Sequence, residues 1–150
     1  DFIRKLKETN PEMAQQLEEI DRSLSSFDFS LFALASDLVT NVNVMRHDLR
    51  SETPLDTYTK ANLEYLEKLP SVVKPVSTRR VGIAAGEAME FRYGMTLGEQ
   101  SGQKAAWAIT QYTIVKGNSA FVISLTCPDR EAESHSPIFE KIGKGFQLLR

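Results

Sequence analysis

Cysteine is almost missing from this chain: Cys127 is the single one in 150 residues, so no internal disulfide framework can staple the fold. Tryptophan occurs once, at Trp107, and histidine twice, at His47 and His135. A charge excess is missing too. Eighteen Lys and Arg stand against 20 Asp and Glu, for a formal net charge of −2. A dedicated DNA or RNA binder would carry a clear basic surplus, so nucleic acid is excluded as the expected partner. No stretch approaches about 18 uninterrupted apolar residues, which excludes a membrane-spanning helix from these residues. A basic n-region followed by an apolar h-region is also lacking, and no Asn-X-Ser/Thr acceptor occurs. The chain opens on Asp1 rather than Met, which reads as a processed chain or one cut from something longer.

What is present is the composition of a folded domain, with 41% hydrophobic and 25% charged residues. The length suffices for one sizeable core without disulfides or metals. Asp1 to Lys7 form a short apolar-sided segment. Asn10 is a favourable helix cap and Pro11 a favourable first residue. Met13, Leu17, Ile20 and Leu24 then recur at steps of four, three and four, which predicts an amphipathic helix over 11–24. Phe27, Phe29 and Leu31 alternate with Asp28 and Ser30 as in a half-buried strand, and the apolar run continues through Phe32, Ala33 and Leu34. A second strand is expected over Thr40 to Asp48, with Val42 and Val44 on one face.

Thr53 is the expected cap of the next helix, with Pro54 as its first residue. A stripe of Leu55, Tyr58, Asn62, Leu66 and Leu69, widened by Ala61 and Tyr65, runs to Pro70. From Val72 the period becomes two. Val81 and Ile83 lead into a turn at Ala84 to Glu87. Met89, Phe91, Tyr93 and Met95 mark the clearest strand, and Gly98 to Gly102 reads as a loop. A strand over Lys104 to Val115, a Gly117-Asn118 hairpin and a strand ending at Cys127-Pro128-Asp129 follow. Ser136 is the expected cap of a last helix beginning at Pro137, whose buried stripe would be Ile138, Ile142, Phe146 and Leu149. If Phe121 and Ile142 are core positions, truncating either to Ala costs about 2–5 kcal/mol.

Tight hairpins join antiparallel strands, and each amphipathic helix needs a surface to cover. The expected architecture is therefore α+β: a single domain over 1–150, with a leading helical segment over 1–24 and a sheet-and-helix core over 27–148. Neither an internal repeat nor a low-complexity linker interrupts it.

Reactive constellations are sparse. His47 and His135 lie far apart, and Cys127 has no neighbour at zinc-ligand spacing, so each His reads as a surface or loop residue and no metal is expected. Cys127 and His135 form a nominal thiol–imidazole pair. The acids Asp129, Glu131 and Glu133 between them would raise the thiol pKa and blunt its reactivity. No GxSxG elbow, GxGxxG turn or GxxxxGK[ST] loop appears, and Glu64, Glu67 and Glu87 read as solvent-facing carboxylates. Basic residues at Arg4, Lys5, Lys7, Arg46, Lys74, Arg79 and Arg80 read as solvated faces. The chain is expected not to be an enzyme and to use no cofactor.

Thr40 to Val44, Pro54 to Tyr58, Gly86 to Phe91, Thr110 to Tyr112, Ala120 to Pro128, Ile138 to Ile142 and Phe146 together resemble the Mog1/PsbP-like superfamily over roughly residues 27 to 148. That grouping includes the oxygen-evolving accessory protein of the thylakoid lumen, a nuclear Ran-binding protein, and bacterial lipoproteins of the LpqN and DcrB type. The matching positions are core, cap and turn residues, and the N-terminal β-hairpin that ordinarily precedes the sheet is not apparent. The resemblance implies an α/β/α sandwich whose largely antiparallel sheet is flanked by helices. It also implies a non-catalytic interaction or accessory domain, part of an exported or membrane-anchored bacterial protein, with a cytoplasmic setting as the alternative. The competing expectation is a carrier of a small molecule or lipid, with an apolar pocket between sheet and helix. Phe91, Tyr93, Trp107 and Tyr112 are the candidate residues for contacting a protein partner or small apolar ligand.

Overall fold

The computed structural model describes residues 33–34, 40–100 and 103–148. The helix expected over 11–24 and the alternation at Phe27 to Leu31 lie outside the described residues. Among the described residues, six strands and two α-helices follow one another: β1 (Ala33–Leu34), β2 (Asn41–Asp48), α1 (Leu55–Lys68), β3 (Val72–Ile83), β4 (Gly86–Gln100), β5 (Gln103–Lys116), β6 (Ser119–Pro128) and α2 (Ala132–Gly145). The strands form one sheet in the order β1-β2-β6-β5-β4-β3, and every pairing is antiparallel.

The two helices cover opposite faces. Side chains alternate across a strand, and residues paired in register share a face. Phe91 and Met89 of β4, with Val72 of β3, pack beneath Leu66, Leu63, Leu55 and Leu69 of the α1 region. Tyr112 and Ile114 of β5, with Ile123, Leu125 and Cys127 of β6 and Ala88 of β4, pack with Phe139, Ala132 and Phe146 of the α2 region. The fold is thus the expected α/β/α arrangement on an antiparallel sheet. Gly117 has φ 58°, the left-handed conformation that the Gly-Asn hairpin signal requires.

Local boundaries depart from expectation in four places. Pro54, with φ −61° and ψ 146°, is the flanking residue of α1 rather than its first helical one. Thr53 turns its hydroxyl back to Ser51 O at 3.0 Å instead of capping the helix. The α1 stripe of Leu55, Tyr58, Asn62, Leu66 and Leu69 does face inward, but it widens toward Thr59 and Leu63 rather than toward Ala61 and Tyr65, which are exposed. The loop expected at Gly98 to Gly102 is shorter. A bulge between Leu97 and Glu99 absorbs the glycine, and pairing continues to Gln100 opposite Gln103.

The largest shift is at α2, which starts at Ala132 and carries Pro137 inside it. Asp129, Glu131 and Glu133 occupy the segment between β6 and Pro137. They build the short 3₁₀ turn and first α-helical turn, where carboxylates suit the positive end of the helix dipole. Pro137 in the second turn removes one intrahelical hydrogen bond and crowds the carbonyl four residues earlier, a local cost that α2 carries. The inward stripe of α2 is Ala132, Ser136, Phe139, Gly143 and Phe146, whereas Ile138 and Ile142 stand 55% and 39% exposed. Phe121 is only partly buried. Ile142 is therefore not a core position.

Candidate functional site

On the α2 face, the sheet carries a row of small side chains. Gly94 pairs with Ala108, and Ala108 pairs with Cys127. The helix above this end of the sheet is also small-sided, at Ala132 and Ser136. Small residues meeting small residues leave a cleft of about 300 Å³, walled by Arg92, Thr110, Phe139 and Asp129. Tyr93 and Ile109 complete the lining, although strand alternation turns their side chains to the α1 face, so they present backbone. That volume matches the lower end of small-molecule sites, which combine an apolar lining with a few fixed polar groups.

The polar wall has a built-in electrostatic support. Glu90 is 2% exposed and pairs in register with Arg79 of β3. Arg79 donates from one nitrogen to both carboxylate oxygens, at 3.0 and 3.1 Å, and Arg92 donates its Nε to Oε1 at 2.8 Å. Burial alone would raise the Glu90 pKa. The hydrogen bonds from Arg92 and Arg79 outweigh it and hold the carboxyl below its ordinary range. Burial, aided by the Glu90 charge, pushes the Tyr112 hydroxyl up to about 12, so it stays protonated.

Glu90 is thereby a pH-dependent support of the fold. Its folded pKa lies below its unfolded one, so its contribution is complete above the unfolded value near 4.5 and is lost as pH falls through the folded value. Thermal unfolding followed from neutral pH to about pH 3 is expected to show a steeper acid limb in the native chain than in Glu90→Gln. Parallel limbs would show that the carboxylate does not titrate in this window.

Cys127 lines the cleft, but burial first, and then the charges of Glu131 and Asp129, push its thiol up. A thiol held protonated is a poor nucleophile. His135 is not among the lining residues: its Nδ1 lies 3.0 Å from Glu131 O and its ring tilts against Phe139. His47 is on the opposite face, with Nδ1 2.6 Å from the Tyr58 hydroxyl. The nominal thiol–imidazole pair is thus divided between two structural settings.

The four aromatic candidates do not form one surface. Phe91 and Tyr112 are both fully buried, on opposite faces of the sheet. Tyr93 packs in the α1-face core, where burial pushes its pKa up to about 12. Trp107, partly buried, pairs with Met95 and Pro128 on that same face. Of the four, only Tyr93 touches the cleft. The residues that shape it were missed, because Gly94, Ala108 and Ala132 matter through what they lack. The available sequence signal was the alternation of Glu90 and Arg92 with Phe91 and Tyr93, which places two opposite charges on one face of β4.

The sequence matches no protein-family model and no curated protein. Its fold has solved counterparts. PA94 of Pseudomonas aeruginosa, a protein of unknown function suggested to be a regulator, superposes with a TM-score of 0.63 at 16% identity, over 81% of this chain and 83% of that one. The cyanobacterial PsbP protein CyanoP of Synechocystis superposes with a TM-score of 0.52 at 8% identity, again over 81% and 83% of the two chains. Two helices on opposite faces of one antiparallel sheet, in a chain that superposes on PsbP, make this a domain of the Mog1/PsbP-like fold.

Proposed function

We propose that the chain is a non-catalytic accessory domain that works by binding a small ligand in the cleft between α2 and the sheet. The observation that carries this reading is the cleft itself: about 300 Å³, floored by Gly94, Ala108 and Cys127 and bordered by a salt-bridged arginine. It supports the carrier reading in a different form from the one expected, since the aromatic residues do not line it together. A thiol pushed up by burial and acids supports binding over covalent chemistry. Resemblance to exported and lipid-anchored bacterial domains extends the reading to an extracytoplasmic setting, which fractionation of cells expressing the natural full-length protein would test.

The binding test is an amide-resolved NMR titration of the 150-residue chain with a mixed library of neutral and anionic fragments. Shifts are expected to concentrate at Gly94, Ala108, Cys127 and Ala132. Ala108→Leu, which fills the floor, is expected to abolish them while the chain remains folded. Shifts that survive this substitution unchanged, or that never involve these amides, would overturn the reading.

A further inference from the structure

The Arg92 geometry says more than that a ligand fits. Arg92 spends its Nε on Glu90, and among the described residues its two terminal nitrogens make no hydrogen bond. Its side chain is 42% exposed and lines the cleft. The Nε bond fixes the guanidinium plane, because Glu90 is itself clamped by Arg79 across the β3–β4 pairing. A planar fork held in one orientation matches a planar two-oxygen acceptor, the geometry of a bidentate carboxylate pair.

The charge count limits what that acceptor can be. Two guanidiniums share one carboxylate, which leaves one positive charge uncompensated. Glu140, the other acid that acts on both arginines, already holds Lys144. One excess positive charge suits a monoanion. A phosphate dianion would overshoot it, and Asp129 on the far wall would repel a dianion about twice as strongly as a monoanion. Behind the fork, Ala108, Cys127, Ala132 and Phe139 offer an apolar bed.

Resting on the binding reading above, we infer that the cleft takes a small organic monocarboxylate, its two oxygens on the free nitrogens of Arg92 and its apolar body along Ala108, Cys127 and Phe139. Arg92 is the ligand-contacting residue. Glu90 is a positioning residue, and Arg79 positions Glu90 in turn.

The experiment compares three probes on the full chain by the same NMR titration: hexanoate, its neutral isostere hexanamide, and inorganic phosphate. Hexanoate is expected to bind at the cleft at least about tenfold more tightly than hexanamide, the effect of one charge-assisted contact. Phosphate is expected to produce no shifts confined to the cleft. Arg92→Gln is expected to erase the preference for the acid, bringing hexanoate affinity down to that of hexanamide measured on the same variant. Glu90→Asp, which keeps the charge count but shortens the reach to the Arg92 Nε, is expected to weaken hexanoate selectively by freeing the Arg92 plane. Equal binding of hexanoate and hexanamide would overturn the carboxylate assignment and leave the binding reading standing. Phosphate binding at the cleft as tightly as hexanoate would overturn it in favour of an inorganic-anion site. If none of the three shifts the cleft amides, the carboxylate inference fails, and failure of the neutral and anionic library at the same amides would remove the binding reading with it.

Discussion

Gly143→Ala is expected to destabilise the domain by about 1–3 kcal/mol, although Gly→Ala inside a helix normally stabilises. A methyl group built at Gly143 would sit against three ring carbons of Tyr112, Cε2, Cδ2 and Cζ, none of them farther than 2.6 Å. Tyr112 cannot swing away. It is fully buried in the central strand β5, paired with Ile123 on one side and Glu90 on the other. Either the ring leaves its rotamer or α2 lifts from the sheet, and both outcomes cost more than the propensity gain of up to about 1 kcal/mol. The measurement is urea unfolding of Gly143→Ala, Tyr112→Leu and the double variant. Tyr112→Leu opens space that the added methyl can use, so the double variant should lose less than the sum of the two singles. A Gly143→Ala chain as stable as the native one would show that α2 does not seat on the Tyr112 ring.

The same contact explains which parts of the fold were legible in the sequence. Period-two alternation along β4, β5 and β6 follows from successive side chains pointing to opposite faces of a strand, so the hairpins, the antiparallel meander and the fold class were readable. The α2 face was not, because hydrophobic periodicity counts apolar residues and this helix docks through small ones. Ser136 and Gly143 lie on the inward stripe, while the larger Ile138 and Ile142 point outward and supplied a false stripe at the right spacing. Pro137 compounded the error by resembling a helix start. The site escaped for a related reason. A cleft made by Gly94, Ala108, Cys127 and Ala132 has no motif, since each member contributes an absence of volume. Long-range register, Gly94 to Ala108 to Cys127, brings them into one row, and single-sequence spacing does not encode that pairing.

Phe91→Ala is expected to cost about 3–5 kcal/mol, the largest loss from any single truncation considered, against about 1 kcal/mol or less for Ile142→Ala. Phe91 is fully buried in the α1-face core among Leu66, Val72 and Met89, whereas Ile142 is already 39% exposed and gives up little burial when shortened. In a chain of this length the Phe91 loss corresponds to a melting point lower by roughly 10 °C or more. Its neighbours Glu90 and Arg92 turn to the opposite face, so one strand holds the α1 core on one side and the cleft wall on the other. That division predicts a double dissociation. Phe91→Ala, assayed well below its lowered melting point, should retain the preference of the cleft for hexanoate over hexanamide. Arg92→Gln should lose that preference with a melting point shifted by only a few degrees, because its side chain is 42% exposed and Arg79 still holds Glu90. If Phe91→Ala abolishes the preference while still folded, the two faces of β4 are coupled and the cleft is not a property of the α2 face alone.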